Sequence, residues 1–511
     1  VGGTAGYHSR YDPQPGQGER ARAQAEAAEK PKPEPRTRPR EMEERMGAGK
    51  GGFFHCYNLT GVPSDLKCWT LGGGITFNGH GEGKSVNAHR RVDIPDFLAI
   101  NPALTPRLER KKNRRTDLDG DNRIEGQLAG NKVSVRALCM SYSWVFSNNN
   151  FSPYNHMATI ASIDRRRLLA AWQSGAHEGA PGQHIVTSQS TDGGKTWNHP
   201  VRLERAVGTV EDAAVWSPVL VRHPDEKVIR LFYSASNNCM HSSRENVWKP
   251  GGDILVITSN DGVHWTPPSV VYRQEEDGGI PKVIANPPIT LTNARVGTVS
   301  GVTWFLPFWH EFPKYSTCAM EEGAETGAAI LVKKPGKTKW TPYSSKVTSK
   351  DTWLIEPSIV EGEGPNRLIQ LYRTATGRAW RSISTTAGKT WGPPHPTMLP
   401  NPNSKMHALR LSNGALVMAH NHHEARPADE GTRTMLFVST SVDEGYSWEV
   451  IAHVETLDRP GSRFHYPTLL ERGCDLLIIY SVSHVQLEGG AHIPVSEGGI
   501  KLAVISLALQ R

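Results

Sequence analysis

The 511-residue chain contains no run of about 18 apolar residues, the length a membrane-crossing helix needs, so no transmembrane segment is expected in it. Its six cysteines include no C-x-x-C pair, which argues against a zinc ribbon or a thioredoxin-like centre. No recognisable nucleic-acid module accompanies its basic stretches, so nucleic acid is not an expected partner. Long apolar runs of any kind are scarce, and hydrophobic residues make up only 37% of the chain. What is abundant is glycine and proline, 49 and 36 residues, which together with short apolar pieces points to an all-β, turn-rich protein.

The formal net charge is +7, and much of the excess sits before about residue 135, as in the run from Arg107 to Arg115. The plain reading of that run is a solvated basic arm. A mildly basic protein also suits an acidic glycan as partner. The first residue is Val1 rather than methionine, so the lack of a leader is no argument for a cytosolic protein. Cys56, Cys68, Cys139, Cys239, Cys318 and Cys474 form an even set, and Cys56 and Cys68 are near enough to close a small loop. Sequons at Asn58-Leu-Thr and Asn150-Phe-Ser lean the same way, toward the secretory pathway and an extracellular or lumenal location.

Three segments are expected. Residues 1–50 are rich in Pro, Glu, Arg and Ala and bury no core; they read as a flexible tail or stalk, with protein partners one possible use. Residues 51–149 alternate short apolar pieces with basic loops and read as an extension packing on the next domain. Within them Asp117, Asp119 and Asp121 resemble the first half of a calcium loop, but Asn122 and Leu128 stand where such a loop needs Gly and Glu. A polar turn is the better reading, and no cofactor is otherwise expected. From about 150 to 511, apolar strands of four to seven residues recur between Gly-, Asp-, Asn- and Pro-rich turns.

A short motif repeats along this last segment. Ser190-Thr-Asp192-Gly-Gly194-Lys-Thr-Trp197 and Ser441-Val-Asp443-Glu-Gly445-Tyr-Ser-Trp448 fit S-x-D-x-G-x-x-W. The copy ending at Trp391 has Thr386 for Asp, and the copy from Thr258 to Trp265 fits with Thr258 and Asn260 in the Ser and Asp places. A degenerate copy ends at Trp340. In such a turn the Asp side chain bonds backbone groups, Gly permits a positive φ and Trp packs between strands, so the motif is a folding device. The tryptophans are 68, 75, 51 and 57 residues apart, each spacing one four-stranded blade with loops. Five marked blades plus flanking sequence make about six. The last strand, from Ile500 to Leu507, is expected to complete a blade begun near residue 150.

These boxes at blade spacing resemble the sialidase (neuraminidase) superfamily, in its BNR repeat-like branch. The resemblance covers about residues 150–511 and implies a six-bladed β-propeller. It also implies a chemistry: arginines that clamp a substrate carboxylate, a tyrosine nucleophile polarised by a glutamate, and a separate acid for proton transfer. Guanidinium forks pair with a carboxylate in bidentate fashion, and a phenol avoids the repulsion an anionic sugar would exert on a carboxylate nucleophile.

The matching residues run in the family's order. Glu356 opens a blade and Arg373 follows 17 residues later; Arg433 leads the strand MLFVSTS, and Tyr466 comes 33 residues after it. The resemblance makes Tyr466 the nucleophile, Glu356 its base, and Arg373 and Arg433 the carboxylate clamp. The first arginine of the family's R-I-P motif is missing, and His156 stands near its place. Glu178, in the loop after the strand LLAAW, is the candidate acid/base, with His177 beside it. The reading that follows is an exo-glycosidase removing a terminal anionic sugar, sialic acid or a relative. Two alternatives stay open: a uronate-active lyase using His and Tyr, motivated by His156, and a non-catalytic propeller in glycan binding or assembly. The loop His420-Asn-His422-His423-Glu424 carries metal-ligand residue types but reads better as a sugar-contacting loop.

Overall fold

The computed structural model describes residues 123–510 apart from short interruptions, the longest at 292–301 and 424–432. The tail, the acidic loop at Asp117, Asp119 and Asp121, Cys56, Cys68 and both sequon asparagines lie outside the described residues. The rest folds as a six-bladed β-propeller of antiparallel strands.

Each blade runs from an inner strand at the axis to an outer strand at the rim. Blade one is Tyr154–Ser162, Leu168–Gly175, His184–Ser190 and Val201–Arg202. Blade two is Val215–Arg222, Ile229–Ala235, Asp253–Ser259 and Ser269–Tyr272. Blade three has a split inner strand, Lys282–Val283 and Ile289–Thr290, both paired with Trp304–His310, then Ala328–Lys333 and Thr341–Pro342. Blade four is Ile355–Glu361, Leu368–Arg373, Arg378–Ser384 and His395–Pro400; blade five is His407–Arg410, Leu416–Asn421, Leu436–Ser441 and Glu449–Glu455. Blade six is Ser462–Arg472, Asp475–Glu488 and Ala491–Gln510, completed at the rim by Asn131–Ser147 and Arg123–Leu128.

The closure differs from the sequence expectation. The last strand pairs with Asn131–Ser147, with Tyr142 opposite Ala503, and not with a strand near residue 150. Tyr154–Ser162 is unavailable because it is the inner strand of its own blade, its free edge facing the axis. The end of the expected extension is therefore blade, and the ring closes by pairing the two ends of the domain, which leaves no open seam.

The repeated turns lie between third and fourth strands. In the first, Ser190 Oγ donates to Asp192 Oδ1 at 2.8 Å and accepts from the Gly194 N–H at 2.8 Å, while Asp192 Oδ1 accepts from the N–H groups of Lys195 and Thr196 at 3.0 and 2.9 Å. The turn at Ser441 repeats this pattern. The turn before Trp265 corrects the sequence reading, because Ser259 and Asp261, one residue on from Thr258 and Asn260, fill the two roles. That copy is shorter by one residue and keeps its aspartate; the turn at Thr386 lacks one, as does the degenerate copy ending at Trp340. Each tryptophan then packs in the groove between its own blade and the preceding one: Trp197 against blades six and one, Trp265 one and two, Trp340 two and three, Trp391 three and four, Trp448 four and five. Burying such a ring contributes about 1.5–3 kcal/mol.

The axis carries a second repeat that the sequence does not display. The inner strands of blades one, two, four and six each bulge where a non-glycine residue takes a left-handed backbone: Met157 (φ 58°), Ser217 (φ 51°), Glu356 (φ 49°) and Tyr466 (φ 58°). A bulge re-aims the side chain it carries, and a left-handed non-glycine costs about 1–3 kcal/mol unless its surroundings hold it. Polar side chains from the neighbouring inner layer do so. Gln173 Oε1 accepts from the Ser217 N–H at 2.9 Å, Asn286 Nδ2 donates to the carbonyls of Glu356 and Pro357 at 3.0 and 3.2 Å, Lys405 Nζ donates to the Pro467 carbonyl at 2.6 Å, and Thr468 Oγ1 donates to the Ala158 carbonyl at 2.9 Å.

Candidate active site

Inner strands run away from one mouth of the axial channel, and second strands return to it. The starts of the inner strands and the loops between second and third strands therefore meet at that mouth. Tyr466, Glu356 and His156 lie at inner-strand starts, Arg373 ends a second strand, and Glu178 and Arg433 lie in second-to-third loops.

Arg373 is the hub. Its Nη1 donates to Glu356 Oε1 at 2.8 Å and to Tyr466 Oη at 2.6 Å, and its Nε donates to Asn403 Oδ1 at 2.7 Å. Arg433 holds the other side of Asn403, donating from Nη2 to the carbonyl at 3.0 Å. Its own backbone is left-handed (φ 66°), and its N–H donates to His423 Nε2 at 2.7 Å. The two guanidinium carbons sit 5.9 and 5.4 Å from the centre of the Tyr466 ring. Glu356 is buried, and its Oε2 has no hydrogen-bond partner among the described residues. Burial pushes the Tyr466 phenol up to about 12, a rise that Arg373 and Arg433 oppose and Glu356 reinforces. Burial also opposes the charge on Arg373, but Glu356 and Tyr466 outweigh it and its pKa rises.

His156 occupies the place opposite. Its ring centre is 4.1 Å from that of Tyr466 and 4.7 Å from that of His465, and its Nδ1 hydrogen-bonds Ser481 Oγ at 3.1 Å. Burial, then Arg433, Arg373 and Lys405, hold its pKa well below the usual imidazole range. It is a neutral ring at physiological pH and adds no positive charge to the mouth. Arg165 lines a separate cavity of about 970 Å³ at the far mouth, between the other ends of the inner strands, so no arginine of that turn replaces the missing one.

Glu178 hydrogen-bonds Tyr154, whose hydroxyl also accepts from Gln173 Nε2 at 2.7 Å. The residue as a whole is exposed, yet protein crowds its carboxyl, and that desolvation raises the carboxyl above the ordinary value, with Arg433 the largest opposing influence. The neighbouring His177 is exposed, its Nδ1 against the Glu178 carbonyl at 3.2 Å. His420 bonds Ser439 Oγ at 2.9 Å, and no group of three or more metal-ligating side chains occurs among the described residues.

Four neighbours escaped the sequence reading. Asn403 sits in a polar loop with no motif. Lys405 is fully buried at the axis, and burial takes its ammonium down to about 7, with Glu356 partly offsetting the shift. Glu311 follows the second strand of blade three; its Oε2 accepts from Trp309 Nε1 at 2.7 Å, and burial raises its carboxyl, with Glu356 and Arg373 both within electrostatic reach. Trp309 packs with Met157, Val283, Ala285 and Tyr466. Lone polar residues in loops give no periodic or spacing signal. A disulfide between Cys239 and Cys318 ties the second-to-third loops of blades two and three at this same mouth.

The family model described as a BNR repeat-like domain matches residues 166–478, more than half of the chain. No curated protein matches the sequence significantly. Among solved structures, the chain resembles a protein of unknown function from Dyadobacter fermentans (15% identity, 73% of this chain and 99% of that one, TM-score 0.52). It also resembles a Trypanosoma rangeli sialidase in complex with the inhibitor DANA (14%, 72% and 60%, TM-score 0.51) and the NanB sialidase of Streptococcus pneumoniae (12%, 71% and 70%, TM-score 0.50). The match spans about three fifths of the trypanosomal enzyme. At these identities the likeness establishes the propeller fold.

Proposed function

We propose that this chain, a member of the BNR repeat-like domain family of the sialidase superfamily, is a retaining exo-glycosidase for a terminal anionic sugar, sialic acid or a close relative. The observation that carries the proposal is the hydrogen-bonded unit of Tyr466, Arg373 and Glu356. Arg373 and Arg433 hold the sugar carboxylate, each by charge-assisted hydrogen bonds. Tyr466 Oη attacks the anomeric carbon while its proton passes to the orphaned Oε2 of Glu356. A phenol at about 12 is almost wholly protonated at neutral pH, so the base must act during attack. Glu178 protonates the departing glycosidic oxygen as that bond breaks. As carboxylate it then takes a proton from water, which attacks the anomeric carbon and releases Tyr466, and Glu356 returns the phenolic proton. The disulfide supports an oxidising compartment, extracellular or lumenal.

Tyr466→Phe is the direct test: hydrolysis of a fluorogenic sialoside is expected to fall by about 10²–10⁴-fold with the fold intact. Full activity in that variant would sink the assignment. The raised Glu178 carboxyl sets a pH dependence. The acid form persists above the ordinary value of about 4.3, and turnover declines as pH rises through the shifted pKa. Glu178→Gln is expected to abolish that alkaline limb with most of the turnover.

The neutral His156 ring against Tyr466 favours a second reading, a uronate lyase. Here His156 takes the proton next to the carboxylate, the C–O bond breaks, and Tyr466 protonates the leaving oxygen. Rising ultraviolet absorbance from an unsaturated uronate, with acidic polysaccharide as substrate, would replace the first reading with this one.

A further inference from the structure

We infer that Glu311 is a specificity-determining residue, accepting a hydrogen bond from a hydroxyl of the sugar ring whose carboxylate Arg373 and Arg433 hold. The inference rests on the proposed placement of an anionic sugar at this mouth, but not on its being hydrolysed. Glu311 is the first residue after the second strand of blade three and so opens a second-to-third loop, the class of loop that brings Glu178 to the mouth from blade one. Its backbone is anchored, the N–H donating to the Pro281 carbonyl at 2.8 Å. One carboxyl oxygen is anchored too, by Trp309 Nε1 at 2.7 Å. Trp309 in turn shares an apolar cluster with Tyr466, so the carboxyl is fixed relative to the nucleophile through two rigid rings. The remaining oxygen, Oε1, has no hydrogen-bond partner among the described residues, and the residue is only half-buried.

An acceptor held this way is prepared for a donor that arrives from outside. Arg373 is within electrostatic reach, but its hydrogen bonds go to Glu356, Tyr466 and Asn403. Glu356, a group of like sign within electrostatic reach, disfavours a second anion beside Glu311, so the incoming group is not the carboxylate of the substrate. A neutral hydroxyl is the donor that sugars supply in quantity. The mouth would then read the ligand twice: positive charge on blades four and five for the carboxylate, and a negative acceptor on blade three for a hydroxyl of the same ring.

The test uses free N-acetylneuraminic acid and D-glucuronic acid as probes, with binding to the whole chain measured by calorimetry. Glu311→Gln keeps an oxygen for the Trp309 indole but loses the charge, and it is expected to weaken the better-bound sugar by about fivefold to tenfold. Wild-type affinity is expected to fall as pH is lowered through the Glu311 pKa, because the protonated carboxyl loses its acceptor charge. That dependence should flatten in Glu311→Gln, which a merely structural role would not produce. Unchanged affinity and an unchanged pH profile in Glu311→Gln would overturn the inference, as would failure of the wild type to bind either sugar. Should Glu311→Gln misfold, Trp309→Phe, which frees the carboxyl from its anchor, is expected to weaken binding in the same direction; no effect there counts against the proposal. Binding without turnover defeats the glycosidase reading and leaves Glu311 in place, whereas turnover with an indifferent Glu311 defeats only this one.

Discussion

At the rim, the turns at Ser190, Ser259 and Ser441 share side chains: a serine that bonds a glycine N–H, an aspartate that bonds the next backbone groups, and a tryptophan that seals two blades. At the axis, the bulges at Met157, Ser217, Glu356 and Tyr466 share a left-handed backbone and no side chain at all. The reason is where the stabilising bonds come from. A rim turn is held by its own side chains, so its residues cannot vary without loss. An axial bulge is held from the adjacent blade, by Gln173, Asn286, Lys405 or Thr468, so the residue at its tip is released for other work. One geometry then delivers an apolar filler, a serine, a glutamate and a tyrosine to one channel.

The comparison can be broken most severely at the axis. Arg373→Met leaves buried Glu356 without its ion-pair partner and is expected to cost about 3–5 kcal/mol in denaturant unfolding. Adding Glu356→Gln to the same chain should recover part of that loss, because no uncompensated charge remains. A single-variant loss below about 1 kcal/mol would mean that the pair is better solvated than its burial implies. Next in size is a rim glycine. Gly194 has φ +95°, and a Cβ there would lie 2.6 Å from Leu502 Cδ2. Gly194→Ala is expected to cost about 1–3 kcal/mol, read from the shift of the unfolding midpoint. Smallest is a repair. Thr386 stands where the boxes at Ser190, Ser259 and Ser441 carry aspartate, and it accepts from the Thr390 N–H at 2.9 Å. Thr386→Asp adds a second acceptor oxygen for the turn and is expected to raise stability by about 0.5–1 kcal/mol with no effect on sugar binding. A change in binding from that rim substitution would contradict the separation of rim and axis.

How much was legible follows from the same distinction. Ser190, Asp192, Gly194 and Trp197 announce themselves because every interaction that defines the turn lies within eight residues. Even there the copy at Ser259 was misaligned by one residue, since a shortened loop leaves the same bonds intact in another register. Glu356, Arg373, Arg433 and Tyr466 could be singled out only through a family resemblance. The fold does bring them to one mouth, and Arg373 bonds Glu356 and Tyr466 there. Glu311, Asn403 and Lys405 carried no mark at all. Each matters through partners elsewhere in the chain, as with Lys405 and Pro467, 62 residues apart.

The closing blade makes the same point at larger scale. Asn131–Ser147 looked like part of an irregular extension because nothing local tells a rim strand from a packing arm; its partner is Ala491–Gln510, at the other end of the domain. The sequence by itself determined the all-β class, the blade period and the rim turns, because these depend on alternation and on contacts inside one hairpin. The tertiary structure alone decided how the ring closes, that His156 is a buried neutral ring against Tyr466, and which carboxylates face the channel. Those are consequences of long-range packing, where burial and through-space charge, and not spacing along the chain, set the protonation and the partners of each group.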